Sequence, residues 1–148
     1  MANLKLISFN CNSFRKHIDI VRKLLNVSDI RCLQETFLNS DDEGYLDKID
    51  KRFNFAFMPC TNDNVLNSGR PKGGLVIFWR TTFDVCVKPV IFHDRFLGVK
   101  LIGAEMNYLI INVYMPCINN TSENVVSYRD ILANIDNEID SIYIAWTL

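Results

Sequence analysis

Within its first 35 residues the chain sets out a β-prone run, an amphipathic helical stripe and a second β-prone run, and that order restricts the fold more than any other feature. Leu4-Lys5-Leu6-Ile7-Ser8-Phe9-Asn10 reads as a buried strand. Phe14, Ile18, Val21 and Leu25 then recur at spacings of four, three and four, with Arg15, Lys16, Arg22 and Lys23 between them. This is one apolar helix face with basic flanks, and Ser13 stands where an N-cap would. Ser28-Asp29 ends the stripe, and Ile30-Arg31-Cys32-Leu33-Gln34-Glu35 follows as a second strand. Strand, helix and strand in so short a span predict a right-handed βαβ unit with parallel strands.

Beyond Glu35 strands dominate. Asn39–Glu43 is a polar break that opens a short helix through Leu46 and Ile49, and Phe53, Phe55 and Phe57 alternate as one face of a strand. Cys60–Arg70 is a polar loop closing on Gly69-Arg70-Pro71-Lys72-Gly73-Gly74. Three strands follow in close order, at Leu75–Arg80, Phe83–Phe92 (its regular part limited by Pro89) and Phe96–Ile102. Tyr108–Tyr114 is almost wholly apolar and so predicts a central strand. After a loop at Met115–Glu123, Val125, Tyr128, Leu132, Ile135 and Ile139 mark another helix, and Ser141–Ala145 starts a last strand. With 148 residues, no repeat and no linker, the expectation is one α/β domain.

Several classes are excluded by composition. No run approaches the ~18 apolar residues of a membrane helix, and Met1–Leu6 lacks the apolar core of a signal peptide, so the expected location is intracellular, in nucleus or cytoplasm. Cys11, Cys32, Cys60, Cys86 and Cys117 are odd in number and widely spaced, which argues against a zinc ribbon or a disulfide framework and for reduced thiols. Net charge is −1, so bulk charge does not hold nucleic acid, although residues 65–103 carry +4 and residues 104–148 carry −5. A local basic face could meet phosphate; a solvated surface accounts for the same charges.

Reactive groups in open α/β sheets collect at the carboxyl ends of strands. Those ends offer Asn10, Glu35 and Tyr114. A carboxylate joined by an amide oxygen suits Mg²⁺, which takes hard oxygen ligands and keeps several waters. Singly, each residue has an ordinary reading too: a solvated glutamate, a turn-forming asparagine, a tyrosine with a wet hydroxyl.

Order and context join them. Leu4–Asn12, then Asp29-Ile30-Arg31-Cys32-Leu33-Gln34-Glu35-Thr36, then Ile111-Asn112-Val113-Tyr114-Met115-Pro116 resembles the endonuclease/exonuclease/phosphatase superfamily, which includes pancreatic deoxyribonuclease and the apurinic-site endonucleases. Arg70-Pro71-Lys72-Gly73-Gly74-Leu75 and His93-Asp94-Arg95-Phe96 are similar to the endonuclease domain of non-long-terminal-repeat retrotransposons of the jockey and chicken-repeat type. The resemblance implies a four-layer α/β sandwich of the deoxyribonuclease and apurinic-endonuclease type, hydrolysing a phosphodiester of DNA with Mg²⁺, or Mn²⁺ in its place. It implies no membrane and no small-molecule cofactor. Glu35 and Asn10 match the metal-site residues, Gln34 a supporting residue behind them, and Tyr114 the tyrosine that hydrogen-bonds the scissile phosphate. A lipid or inositol phosphatase of the same superfamily, and a non-catalytic fragment, are the alternatives.

The match departs from the family at two places. Asn12 stands where apurinic endonucleases carry an acidic residue. After Ile142-Tyr143-Ile144-Ala145 the family has Gly-Asp-x-Asn, and later an Asp-His pair that activates water, whereas this chain has Trp146-Thr147-Leu148. His17 and His93 lie outside the motif positions. The expectation is therefore a single incomplete domain over residues 1–148, inactive alone because residues that act as a unit fail as a unit. Trp146-Thr147-Leu148 can share nucleotides with Asp-Phe-Asn in a displaced frame, so an insertion or deletion, or a mis-set exon boundary, at the lost glycine codon is the expected origin of this ending, with a true truncation as the alternative.

Overall fold

The computed structural model describes residues 4–60, 73–83, 86–93, 95–114 and 141–145. Two four-stranded sheets carry the fold. In the first, β1 (Leu6–Asn10) runs parallel to β2 (Ile30–Gln34), and β2 and β3 (Phe53–Met58) both pair antiparallel with β4 (Leu75–Arg80), giving the order β1-β2-β4-β3. In the second, β5 (Cys86–His93), β6 (Phe96–Ile102) and β7 (Asn107–Val113) form an antiparallel meander, and β8 (Ser141–Ala145) lies parallel to β7. The helix expected over Val125–Ile139 falls outside the described residues.

Strand periodicity divides the side chains between two cores. Along β4, Leu75, Ile77 and Trp79 face the second sheet and meet Leu97, Val99, Leu101 and Ile110. Val76 and Phe78 face the other way, under Phe14, Val21, Leu25 and Leu46. Phe53, Phe55 and Phe57 do share one face, as their alternation predicts, and it is this helix-side face. Leu109, Ile111 and Val113, on the face of β7 turned away from the first sheet, are buried as well. The result is the expected α/β sandwich, with β7 in the interior of its sheet.

Several boundaries differ from the sequence reading, and three of them have a backbone reason. The first helix, α1, is Ile18–Asn26 rather than starting at Phe14, and its N-cap is His17, with no side-chain cap. Asn12 and Ser13 take φ of 42° and 90°, and Phe14 N–H donates to the Thr36 carbonyl at 3.0 Å, so this stretch is held to the segment after β2 and forms only a turn before the regular helix begins at Ile18. Ser13 Oγ caps only the turn before the helix, accepting from Lys16 N–H at 3.4 Å. The polar break opens as a 3₁₀ turn, Ser40–Asp42, capped reciprocally by Asn39 and Asp42, and only then becomes α2 (Glu43–Asp47). Strand β5 starts at Cys86 and slips register between Pro89 and Ile91, where proline has no N–H for the ladder.

One buried cation shapes the helix side. Arg31, on β2, donates through Nη2 to the Leu24 carbonyl and to Ser28 Oγ, closing the C-terminal end of α1. Burial pulls its guanidinium down to about 10.

Candidate active site

The parallel pairing of β1 with β2 places Asn10 opposite Gln34, so Asn10 and Glu35 end neighbouring strands on one rim. There the ladder continues as a weave of irregular backbone. Cys11 N–H donates to the Gln34 carbonyl at 3.0 Å, and Ser13 N–H to the Glu35 carbonyl at 2.9 Å. Thr36 and Phe37 N–H donate in turn to the carbonyls of Gly74 (3.2 Å) and Gly73 (3.1 Å). Asn12, Ser13, Glu35, Phe37, Gly73 and Gly74 all have positive φ, and they are the only described residues that do. Left-handed backbone at Ser, Glu or Phe is costly and concentrates where a site is being shaped.

Gly74 shows why the rim needs glycine. A Cβ there would lie 2.3 Å from Thr36 Oγ1 and 3.2 Å from Phe37 N, on a residue with φ of 90°. Gly73 is different: a Cβ would make ordinary contact, 3.6 Å, with the ring of Tyr114. That contact brings Tyr114, from the other sheet, onto the same rim. Tyr114 lies one residue past β7 and is anchored by its N–H to the Arg95 carbonyl at 2.9 Å.

The oxygen donors are hard ones. Glu35 contributes a carboxylate, and Asn10 an amide oxygen that also accepts from Asn12 N–H at 3.1 Å. Cys11, woven between them, is not a competing ligand: burial pushes its thiol up to about 12, helped by the charge of Glu35, and its Sγ donates to the Gln34 carbonyl at 3.1 Å. This donor chemistry fits Mg²⁺ or Mn²⁺ bound largely through water. Among the described residues no three His, Cys, Asp or Glu side chains cluster as a metal cage. His17 Nδ1 sits 3.3 Å from the Ser13 carbonyl, and His93 is exposed on the β5–β6 hairpin with its ring against Phe96.

Asn112 lies within the Ile111–Pro116 motif, whose resemblance assigns it no role. It is fully buried on β7, and its amide reaches the first sheet: Nδ2 donates to the carbonyls of Leu33 (2.8 Å) and Val76 (3.0 Å). Its Oδ1 accepts from Gln34 Nε2 at 2.7 Å, and Gln34 Nε2 also donates to Ser8 Oγ at 2.9 Å. An asparagine inside an otherwise apolar strand was the signal, because such a group is buried only when its hydrogen bonds are met.

Two sheets packed face to face, helices outside, and an asparagine, a glutamate and a tyrosine at one rim define an α/β sandwich of the apurinic-endonuclease type. The chain belongs to the Endonuclease/Exonuclease/phosphatase family, whose profile matches residues 7–144. No curated protein sequence matches it. Solved structures with the same fold include an AP endonuclease from Archaeoglobus fulgidus (23% identity, TM-score 0.59, covering 90% of this chain and 53% of that one). The endonuclease domain of TRAS1, a telomere-specific non-LTR retrotransposon, is similar at 9% identity and TM-score 0.61, covering 90% and 55%. The 3′ phosphatase NExo from Neisseria, solved with a product DNA hairpin, is similar at 18% identity and TM-score 0.52, covering 88% and 49%. The chain thus spans about half the length of these structures. No helix among the described residues is long and apolar enough to cross a membrane.

Proposed function

We propose that this chain carries the metal- and phosphate-binding residues of a Mg²⁺-dependent phosphodiesterase site of nuclease type, from the retrotransposon branch of the family, with DNA as the substrate. The observation that carries the reading is the meeting of Asn10, Glu35 and Tyr114 at one rim of strained backbone. Glu35 and Asn10 would hold the metal ion, with Gln34 bracing the strand end behind Glu35. When bound, the ion supplies charge neutralisation and polarisation at a phosphoryl oxygen. The Tyr114 hydroxyl donates a neutral hydrogen bond to the phosphate, which stabilises charge as it develops.

DNA is favoured as substrate because relatives of this fold act on it, and the retrotransposon branch because of the Arg70–Leu75 and His93–Phe96 motifs. The chain alone is inactive in this reading, since Trp146-Thr147-Leu148 stand where the resemblance places Gly-Asp-x-Asn, whose aspartate would orient the attacking water. Two measurements test it. Mn²⁺ binding followed by electron paramagnetic resonance is expected for the purified chain and is lost in Glu35→Ala; an unchanged titration in the variant removes Glu35 from the site. Supercoiled plasmid with Mg²⁺ is expected to stay intact, and Glu35-dependent nicking would overturn the inactivity.

A further inference from the structure

We propose that Gln34 and Asn112 form a positioning pair that sets the distance between the metal-binding end of the first sheet and Tyr114 on the second. The proposal rests on the site reading given above and extends it to two residues that touch neither metal nor substrate.

The argument starts from what holds the two sheets together elsewhere. Ile30, Cys32, Leu75, Ile77, Trp79, Leu97, Val99, Leu101 and Ile110 fill the space between them as one apolar cluster. Apolar contact is non-directional, so it fixes how far apart two sheets lie better than how they are registered along each other. At the site end that interior changes character. Gln34 follows Ile30 and Cys32 on the inward face of β2, and Asn112 follows Ile110 on the inward face of β7. Each would pack as well, or better, as a leucine or methionine if burial were its whole purpose. Instead both hydrogens of the Asn112 amide are donated to carbonyls of β2 and β4, and its oxygen accepts from Gln34. Hydrogen bonds demand angle as well as distance, so they fix one relative placement of β2, β4 and β7. The two carbonyl acceptors also settle which way the amide points.

Position in the chain supplies the rest. Glu35 is the residue after Gln34, and Tyr114 is two residues after Asn112, on the same side of its strand. Any slide of one sheet over the other would therefore appear directly as a change in the separation of Glu35 from Tyr114. Held by the pair, the Tyr114 ring rests over Gly73. A site of this kind works only when such separations are kept to within about 0.5 Å.

The test reads that separation without relying on turnover. Tyrosines are replaced by 3-fluorotyrosine, the Tyr114 ¹⁹F resonance is assigned by its loss in Tyr114→Phe, and Mn²⁺ is titrated in. In the unmodified sequence the Tyr114 line broadens strongly, and Glu35→Gln abolishes the effect. Asn112→Leu is expected to keep Mn²⁺ affinity and a cooperative melt while Mn²⁺-induced broadening of Tyr114, read at saturating Mn²⁺, falls about twofold or more, and Gln34→Met, approached from the other sheet, is expected to give the same fall at saturation. A purely structural role would lower the melting temperature and leave the broadening as it was. Unchanged broadening in whichever variant melts cooperatively overturns the proposal. Glu35-dependent Mn²⁺ binding with no effect on Tyr114 overturns it and leaves the metal reading standing; absence of Mn²⁺ binding overturns both.

Discussion

The two ends of the first sheet are built on opposite principles. At the carboxyl end of β2 the backbone itself is bent into left-handed conformations, six of them in three adjacent segments. At the other end the described backbone has ordinary φ, and side-chain ties are added to main-chain bonds such as Thr81 N–H to the Arg52 carbonyl at 2.9 Å. Arg80 pairs with Asp29 at 3.3 Å and lies 5.0 Å over the ring of Phe53, while Arg52 pairs with Asp50 at 2.7 Å and donates to Asn26 Oδ1 at 2.6 Å. Side-chain ties of this kind relax when one partner is changed. Backbone bent through its own hydrogen bonds has no such freedom, so the rim holds its shape at a standing cost in stability. In the proposed reading, that difference separates a part that keeps the fold closed from a part that would present functional groups.

The largest expected effect tests the rigidity of the rim. Gly74→Ala puts a methyl group into Thr36 Oγ1 and the Phe37 amide on a left-handed residue, and should cost about 3 kcal/mol of stability. Gly73→Ala has the backbone penalty without the clash and should cost about 1 kcal/mol. Urea denaturation of the two variants checks the ranking. Equal losses would mean that the close approach at Gly74 is relieved by movement, and the rim is softer than its hydrogen bonds suggest.

A smaller effect of opposite sign tests whether the strain serves function. Glu35 has φ of 51°, a conformation glycine adopts freely. Glu35→Gly should therefore raise stability by up to about 1 kcal/mol while removing Mn²⁺ binding. Asn54→Gly, in the regular part of β3, should lower stability by about 0.5–1 kcal/mol. If Glu35→Gly destabilised as much as Asn54→Gly, the positive φ would carry no strain and the contrast between the two ends would fail.

The same contrast explains what could be read from the sequence. The βαβ start, the strand alternation at Phe53, Phe55 and Phe57, the apolar central strand and the placing of Asn10 and Glu35 at strand ends all follow from periodicity, which is a local signal. Helix α1 was placed too early because its apolar stripe truly begins at Phe14, which is buried in the same core. What delays the coil is a hydrogen bond from Phe14 to Thr36, and no window around residue 14 contains that information. For Asn112 the apolar strand marks a buried, hydrogen-bonded amide but does not name its partners, because Gln34, Leu33 and Val76 are far away in the chain. Tyr114 follows, as Asn10 and Glu35 do, from the end of an apolar strand, and its role from the resemblance. Its contact with Gly73 depends on how two sheets stack, which no strand encodes by itself.

The smallest expected effect is a pH dependence at the ion-paired end. The Asp50 carboxyl is held below the ordinary carboxylate range, chiefly by the hydrogen bonds from the Arg52 side chain, against an opposing push from burial. The Arg52 backbone N–H and the charges of Arg52 and Arg80 add to the same direction. A carboxyl whose folded pKa is depressed contributes stability above its unfolded pKa, about 3.9, and loses that contribution as pH falls through the lower folded value. The melting temperature should thus be insensitive to this group from pH 7 to about 5 and should decline below about 4. Because the Arg52 side chain is 56% exposed, the pair is largely screened, and Asp50→Asn should shift the melt at neutral pH by at most about 2 °C. Asn keeps an oxygen for the Arg52 backbone N–H, which Asp50 Oδ1 accepts at 3.0 Å, so the change removes charge rather than the turn. The two melting curves should converge as pH approaches 3. Parallel curves through that range would assign the difference to the turn and not to the charge, and the ion-paired end would then be held, like the rim, by its backbone.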